Sequence, residues 1–564
     1  MTKSKTTTSS HETEAALHLE LVKELQPLAV SDGSLSAALK LRLADVLETL
    51  GIPGEPVVKL DLLEEEILPG DRFMRVRANG RPCRYPDELL RGVHSYVTGQ
   101  LPHPGVTTAS ILAWLLDLLA SGSHDQAVEF LSIACIEIVK RQPAVLLTME
   151  RANACVDSLR EFETGADTTA SVMPDPSVLL PILNRPLSLK ISIADRQKVA
   201  QTLRSGFQAG RNSDYIAEDL IAALVPMRLS IQFPPDHLRQ ITTTWQEKGP
   251  EAFTFLRDGL LVESGLTYPQ FNFASRDDLK PGSFTFQINH LDTLPFISLR
   301  PDQCLVNDTV ERLSGLGIEG QSTINPANGQ PGSIIDIGSQ MTAENAGLTC
   351  WDQMGYMILC FAEVLRRNGA CFVHRHMTRE RLDQLDQAFP SLVTYTRAHS
   401  SDEYITLLLR RLASEEIPIR NLRLILETLL DSAQAANGGD SLSAVRIGMR
   451  QQIGAKYSRG VSTIVVYLLD PKIERLICGR AGENGEYSES RLAEDDAIIG
   501  AIRTEIEILY KMAPTATTPS LLTTTEVRGE LRNIIALEFP KLAVISYAEL
   551  PAGMNIQPIA RILL

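Results

Sequence analysis

The sequence lacks the features that would direct it out of the cytosol or into a membrane. Its eight cysteines include no Cys-x-x-Cys pair, and scattered cysteines are typical of reduced thiols rather than of a disulfide framework. The polar N-terminus has no apolar segment of the kind found in secretory signal peptides. The best candidate span, 109–122, is shorter than the roughly 20 apolar residues that a membrane helix needs and contains Asp117. We therefore expect a soluble cytoplasmic chain.

Catalytic motifs are also missing. The chain has no GxxxxGK[ST] loop, no GxSxG elbow and no HExxH pair. The glycine-rich segment 479–485 precedes a loop, and we interpret it as a turn rather than as a phosphate cradle. Cys371, His374 and His376 lie close together, but zinc needs four ligands and no second pair matches them. We predict a protein that is not an enzyme, with no catalytic residue, no metal and no cofactor. A hydrolase or transferase without a known motif stays open, because only a pocket with converging polar groups would reveal it.

The composition is that of an ordinary globular protein. The chain has 564 residues, of which 44% are hydrophobic and 22% charged, and its length corresponds to roughly three to five domains. Its net charge of −15 argues against a general affinity for nucleic acid or anionic membranes. The carboxylate runs at 64–66 and 415–416 are interpreted as solvated faces.

An internal repeat organises the first half of the chain. Beginning near Leu41 and again near Phe253, the sequence predicts a helix that ends at a glycine, a strand, a Pro-Gly turn, an alternating strand and a Pro-Asp pair. The corresponding positions are Gly51 and Gly265, Pro69-Gly70 and Pro281-Gly282, and Pro86-Asp87 and Pro301-Asp302. Because order and spacing both match, we infer a duplicated module.

A long amphipathic helix is predicted within 415–432. Pro418 suits its first turn. Arg420 and Arg423 lie near its start, where the macrodipole favours anions, and Arg423 can pair with Glu427 at i+4. Two solvated arginines and two arginines that bind a neighbouring subunit or partner are both compatible with this pattern. The apolar stripe has helical spacing and consists of Leu422, Ile425, Leu426, Leu429 and Leu430.

Several segments resemble one family. The motif IPIRNLRLILETL in the helix at 415–432, together with INPANGQPGSII at 324–335 and FPKLAVISYAEL at 539–550, resembles the cytosolic region of the export-gate proteins of type III secretion systems, the FHIPEP family. The resemblance covers about 186–564 in a near-complete copy and 17–90 in a partial one. LHLELVKELQPL from Leu17, and more weakly PLSLKISIADRQ from Pro186, resemble the family's opening segment. The family's membrane domain is missing, and the partial copy stands in its place.

The resemblance and the strand–helix order predict an α+β fold of several subdomains. Small α/β units flank a helical unit, and the C-terminal unit is expected to be ferredoxin-like, with strands at 462–470 and 474–479. The expected divisions are a disordered N-terminus 1–16, a partial copy 17–162, a linker 163–184, a first α/β subdomain 185–304 with 353–372, an inserted subdomain 305–352, a helical subdomain 373–455 and a C-terminal α/β subdomain 456–564.

The resemblance also implies a docking surface. Flagellar members bind chaperones through an Asp-Pro-x-Phe-Gly motif and a threonine on the next long helix; the positions here are Asn325, Asn328 and Leu359, all different in identity. Pro326 and Gly329 match the injectisome-like form NPxxGxP. We expect these five residues to contact partners, and Arg420, Arg423 and Glu427 to lie at a subunit or partner interface.

The implied function is a non-enzymatic platform for protein export. In the family this region forms a ring, typically of nine subunits, receives chaperone–substrate complexes and contacts the ATPase stalk, so the expected partners are the membrane gate, the stalk and such complexes, at the inner face of the cell membrane. Without a membrane domain, the chain could dock onto a separate membrane protein, serve as an adaptor, or act as a regulator whose first copy occupies a neighbour's interface. A scaffold with the same fold but no role in secretion is the alternative.

Overall fold

The computed structural model describes residues 17–30, 33–63, 72–160, 174–434, 440–480, 489–512 and 518–564, without the side chains of 30, 240, 242–252, 434 and 489. The predictions for 1–16, for the Pro69-Gly70 turn and for 481–485 lie outside these residues. Within them, no helix is both long and apolar enough to cross a membrane.

The first unit is a four-stranded sheet covered by helices. The strand order is β2-β1-β3-β4, with β1 parallel to β2 and antiparallel to β3. Helix α2 ends at Gly51, which adopts the left-handed conformation (φ 70°). This is the conformation expected of a glycine that ends a helix. The elements are β1 Leu17–Leu21, α1 Gln26–Val30, α2 Ser34–Leu50, β2 Val58–Leu62, β3 Met74–Ala78, β4 Arg81–Pro82, α3 Asp87–Thr98, α4 Thr108–Ala120, α5 His124–Lys140 and α6 Met149–Arg160.

Three further helices complete this unit and correct the expected boundary. Leu179, Leu203 and Leu220 are fully buried in the same core as β1, so the first unit extends to Leu224 and no linker separates it at 174–184. Two internal prolines made the first of these helices look like a linker, because proline removes a helical hydrogen bond. The helices are α7 Pro176–Ser188, α8 Arg196–Gln208 and α9 Ser213–Leu224.

The second α/β unit repeats the first sheet. Its order β6-β5-β7-β8 has the same strand directions, with β5 parallel to β6 and antiparallel to β7. Its long helix also ends at a left-handed glycine, Gly265 (φ 77°). The helix and the paired strands of the expected duplication are therefore confirmed, but Pro86-Asp87 leads into the helix Asp87–Thr98 and Pro301-Asp302 into the strand Gln303–Val306. The elements are β5 Arg228–Phe233, α10 Pro235–Ser264, β6 Gln270–Ser275, β7 Ser283–Ile288, β8 Leu291–Asp292 and β9 Phe296–Ile297.

The duplication extends further than the sequence suggested. Lys190 and Glu416 are both left-handed non-glycine residues (φ 61° and 54°). Three residues later the backbone N–H groups of Ile193 and Ile419 each donate a 2.8 Å hydrogen bond to a carbonyl at the end of α2 or α10. Segment 186–197 therefore corresponds to 412–423. Its predicted equivalence to the opening segment at Leu17 is wrong, since Arg228–Phe233 is the strand that occupies that place.

An inserted unit and a helical unit follow. The insert has strand order β11-β12-β10-β13 and a small core of its own, whereas the helical unit shares one core with the second α/β unit. The elements are β10 Gln303–Val306, α11 Val310–Gly315, β11 Gly320–Ile324, β12 Pro331–Asp336, α12 Gln340–Asn345, β13 Cys350–Trp351, α13 Gln353–Arg367, α14 Arg375–Ala388, α15 Pro390–His399, α16 Asp402–Ser414, α17 Leu422–Gln434, α18 Ser441–Gly448 and α19 Arg450–Ser458.

The sheets and helices of the chain as a whole confirm the α+β class, but the C-terminal unit does not have the expected ferredoxin-like arrangement. All pairings in its sheet, of order β16-β15-β14-β17, are parallel. The predicted strand 474–479 is part of a helix, because the Asp470 side chain caps its start by accepting from the N–H of Lys472 and the buried Ile473 and Ile477 are four residues apart. The elements are β14 Thr463–Leu469, α20 Pro471–Gly479, α21 Glu489–Met512, β15 Ser520–Thr523, α22 Thr525–Ile535, β16 Val544–Ser546 and β17 Asn555–Ile562.

Candidate docking site

The turn between β11 and β12 is built by Asn325. Its side-chain oxygen accepts a hydrogen bond from the backbone N–H of Ala327 at 3.0 Å, and its own N–H donates to the carbonyl of Gln330 at 2.8 Å. The side chain of Asn325 is buried and Pro326 is half-buried. Asn325 therefore shapes the hairpin, and its contact with a partner stays a prediction.

The exposed tip of this hairpin consists of Asn328 and Gly329. The Asn328 side chain accepts from the N–H of Gln330 at 2.9 Å, and Gly329 has a φ of 72°. A Cβ atom at Gly329 would lie 3.6 Å from Nζ of Lys541. The tip thus faces the C-terminal unit.

A cleft of about 380 Å³ lies between the hairpin tip and the C-terminal unit. One wall contains Ala327 and Asn328, and the other contains 540–544. Lys541 closes one side through a 2.9 Å ion pair with Glu363 of α13. A partner bound in this concave surface could contact the backbone of the hairpin, the backbone of 540–544 and several charged side chains.

Leu359 does not join this surface. It is half-buried and packs against the core shared by the second α/β and helical units. It lines neither the cleft nor the neighbouring cavity. Glu363, one turn further along α13, faces the cleft instead, and sequence counting missed it because the register of α13 relative to the hairpin depends on the tertiary packing.

The first copy contacts the base of the same hairpin. The carbonyl of Pro102 accepts two hydrogen bonds, from Thr323 Oγ1 at 2.9 Å and from the N–H of Ile324 at 3.2 Å. Leu101 packs against both the first core and the second core. No sequence motif signalled this contact, because the loop 99–107 has no counterpart in the second copy.

The predicted interface arginines form a separate region. Helix α17 begins at Leu422, so Pro418 and Arg420 precede it, which corrects the expected helix start. Arg423 pairs with Glu427 at 2.7 Å and lies over the ring of Phe389 at 4.5 Å. Arg420 is exposed, and within the described part of the chain its side chain donates a single long hydrogen bond, of 3.4 Å, to the carbonyl of Val262. Arg420 is therefore the more available of the two for a partner.

A buried ionic cluster fixes the helical unit to the C-terminal unit. Arg446 binds Glu549 through two hydrogen bonds of 2.8 and 2.7 Å, and Glu415 bridges Arg446 and Arg528 at 3.1 and 2.8 Å. Burial alone would lower the pKa of Arg446, but Glu549 and Glu415 outweigh it and raise that pKa. Glu415, interpreted from sequence as part of a solvated face, instead helps to hold the cleft walls in position.

The cysteine and histidine group at 371–376 has a structural environment. Cys371 is buried, and His374 caps α14 by accepting from the N–H of Met377. Burial, with additional repulsion from His376 and Arg410, lowers the pKa of His374 to about 4. Across the residues that the structure describes, no three His, Cys, Asp or Glu side chains are grouped as metal ligands.

The comparison with known families identifies the chain. Its small α/β units, inserted hairpin and helical unit match the FHIPEP family over residues 217–555, which is more than half of the sequence. The chain belongs to the FHIPEP family. The match begins within α9, close to the structural boundary between the first copy and the second unit.

Curated relatives and solved structures agree with this assignment. The low calcium response locus protein D of Yersinia pestis is 24% identical over 311 residues, which are 55% of this chain and 44% of that protein. The flagellar biosynthesis protein FlhA of Bacillus subtilis is 26% identical over 313 residues, 55% of this chain and 45% of that protein. The chain thus spans about half the length of the curated relatives it matches.

The fold is shared with the Chlamydia pneumoniae CdsV protein. That structure is 25% identical, has a TM-score of 0.52 and covers 60% of this chain and 98% of its own. A structure of the CdsV and CdsO protein complex matches with a TM-score of 0.51 and 25% identity, over 59% of this chain and 97% of that chain.

Proposed function

We propose that this chain is a non-enzymatic docking platform of a type III-like protein export apparatus. The observation that supports the proposal most strongly is the cleft between the hairpin tip and residues 540–544 in a chain of the FHIPEP family. The solved complex of CdsV, a protein of the same fold, with CdsO supports a second apparatus protein as one class of partner. Stalk components, a membrane gate made as a separate chain and chaperone–substrate complexes are the further partners we propose, which would bring the chain to the inner face of the cell membrane.

The cleft can be blocked without disturbing the hairpin. Ala327 contributes only its backbone N–H to the turn, so Ala327→Arg fills the cleft with a long cation while the turn hydrogen bonds remain. Gln321→Arg adds the same side chain at an exposed position of β11 that does not line the cleft.

The test is capture of partners from the native cells by tagged full-length protein, with mass spectrometry of the eluate. We expect the unmodified chain and Gln321→Arg to recover export stalk, gate or chaperone proteins, and Ala327→Arg to lose at least one of them. Recovery of none of these proteins, or equal recovery by Ala327→Arg, would overturn the platform proposal.

We also propose that Arg420 contributes to a homo-oligomeric contact, with Arg423 and Glu427 beside it. Arg420→Glu reverses an exposed charge, whereas Arg423→Glu additionally breaks an existing ion pair and a contact with Phe389. Sedimentation velocity at several protein concentrations should show Arg420→Glu shifting the chain towards monomer while its melting temperature is unchanged. An unchanged oligomeric state would remove the arginine from the interface.

A regulated platform is a second candidate, favoured by the contact of Pro102 with the hairpin. In this proposal the first copy restrains the docking surface in cis.

Leu101→Asp should loosen the loop, raise hydrogen exchange at 320–331 and increase partner capture. The adjacent Gln100→Asp is the control, since Gln100 is exposed. Faster exchange without greater capture would leave the loop a purely structural support.

A further inference from the structure

A second cavity, of about 560 Å³, lies behind the hairpin where four parts of the chain meet. Arg141 comes from the first copy, and Lys190 comes from the segment that follows α7. The second α/β unit contributes Leu294, and the C-terminal unit contributes Leu537 and Lys541. The volume falls within the usual range of small-molecule sites. This cavity adjoins the cleft at the hairpin tip and shares Glu363, Arg532 and Lys541 with it.

Most charges in the wall are neutralised by neighbours. Arg367 binds both Glu88 and Glu363, and Lys541 also binds Glu363. Lys140 binds Glu137 at 2.8 Å. These pairs leave no charge for a ligand to compensate.

Among the residues that the structure describes, no carboxylate forms an ion pair with Arg141 or Lys190. Arg141 donates to the carbonyl of Leu537 at 3.1 Å, and its buried Nε has no hydrogen-bond partner. Lys190 donates to the side-chain oxygen of Asn368 at 2.8 Å. Burial lowers the pKa of both groups, that of Arg141 to about 10, and the charge of Arg141 adds to the lowering at Lys190. Glu88 and Glu137 act on these cations only from a distance, and enclosed cations without an ion pair of their own are costly unless an anion joins them.

Part of the wall is apolar, although polar residues such as Ser95, Thr293 and Arg532 also line the cavity. Leu89, Leu294 and Phe296 line the cavity together with Pro295. In a chain with a net charge of −15, a cavity with two uncompensated cations and a partly apolar wall is complementary to an organic anion that carries one charged group and one apolar part.

We propose that this cavity binds a small organic anion, with its carboxylate or phosphate group between Arg141 and Lys190 and its apolar part against Leu294 and Phe296. The ligand would touch the first copy, the base of the docking hairpin and the C-terminal unit at once, since Asn325 and Pro326 also line the cavity. The inference is independent of export: it predicts binding by the purified chain alone.

The test uses three probes that share one aromatic ring. Benzoate and phenyl phosphate carry the two candidate headgroups, and benzyl alcohol is the neutral control, all at ionic strength held constant with sodium chloride. Thermal unfolding and calorimetric titration of the full chain should show saturable stabilisation by at least one of the anions and none by benzyl alcohol. The stronger anion identifies the headgroup class.

Variants locate the site. Arg141→Met and Lys190→Met should each weaken anion binding at least tenfold, whereas Arg141→Lys should retain it. Lys198→Met, which removes an exposed cation elsewhere, should bind like the unmodified chain. Without ligand, Lys190→Met should melt at the same or a higher temperature, because it removes an uncompensated buried charge.

The proposal is overturned if neither anion stabilises the chain, if benzyl alcohol stabilises it equally, or if the response persists in both methionine variants. If Lys190→Met fails to fold, anion binding is compared between Arg141→Met and Arg141→Lys alone.

Discussion

The single residue His374 caps a helix and also makes the stability of the whole chain depend on pH. Its imidazole accepts the N–H of Met377 at the start of α14 only while it is neutral, and its enclosed position lowers its pKa to about 4. An unfolded histidine titrates near pH 6.5. Between these two values the unfolded chain holds more protons than the folded chain, so stability falls as the pH falls.

We expect His374→Asn to weaken this pH dependence. Asparagine keeps an oxygen that can cap α14 but does not titrate. Urea unfolding between pH 7 and pH 4 should show the unmodified chain losing up to about 3 kcal/mol at this site, and His374→Asn losing correspondingly less. Identical pH profiles for the two proteins would mean that His374 does not titrate between the two states.

The sequence could not reveal which charged residues are buried. Arg446 and Glu549 are nearly inaccessible to solvent, although each stands in a segment with ordinary amphipathic spacing. The two residues are 103 positions apart in the sequence, and no local pattern encodes such a pair. Asn325 lies in a turn, and its burial depends on the packing of the whole insert.

At the level of elements, the two copies preserve the same junction. Gly51 and Gly265 each end a helix, and a Cβ atom on either would lie 2.4 Å from the backbone of the incoming segment, at Ala194 and Arg420 respectively. The sequence predicted the glycines from helix termination alone. The close approach of a second segment at each glycine was not predictable, because it joins residues more than 140 positions apart.

These glycines should therefore tolerate alanine poorly. Gly210→Ala is the matched control, since Gly210 has a similar φ of 64° but open space around it, and the left-handed conformation alone should cost it about 1–2 kcal/mol. Gly51→Ala and Gly265→Ala should each cost about 1–3 kcal/mol more, because backbone must move. Equal losses in chemical denaturation for all three variants would show that the junctions are loosely packed.

Whether a segment forms a helix or a strand was predicted well where its hydrophobic pattern extends over many residues, and poorly where it extends over few. The helix at 422–434 and the strand at 463–469 follow clear patterns. The segment 474–479 has too few apolar positions to separate a period of two from one of four, and it was assigned as a strand. That error led to the ferredoxin-like expectation, since one strand too many suggested an antiparallel sheet.

On the scale of the whole molecule, each repeated unit is joined to the unit that follows it by a buried ion pair. The charged residue occupies the same position in both copies. Glu218 lies six residues after the α9 cap Asn212, and Arg446 lies six residues after the α18 cap Asp440. Glu218 binds Arg410 of α16 through two hydrogen bonds of 2.7 and 2.9 Å, whereas Arg446 binds the C-terminal unit. The sign of the charge differs between the copies, but the position of the ionic contact is the same.

Breaking the first of these contacts should separate the two copies. Glu218→Gln leaves Arg410 buried without its counter-ion, which should cost about 3–5 kcal/mol. Glu218→Leu with Arg410→Met should recover most of that loss, since an apolar pair of similar volume replaces a buried ion pair with little penalty. The exposed pair of Asp214 and Arg185 provides the control, and Asp214→Asn should cost less than about 1 kcal/mol.

The distribution of the loss distinguishes a joint between units from an ordinary core contact. Hydrogen exchange of Glu218→Gln should increase throughout 17–224 while the second core, from Leu229 onwards, stays protected, because the two cores are separate. A uniform increase over both cores would mean that the chain unfolds as one cooperative body. In that case the first copy would be an inseparable part of the platform, and its restraint of the docking hairpin could not be relieved by detaching it.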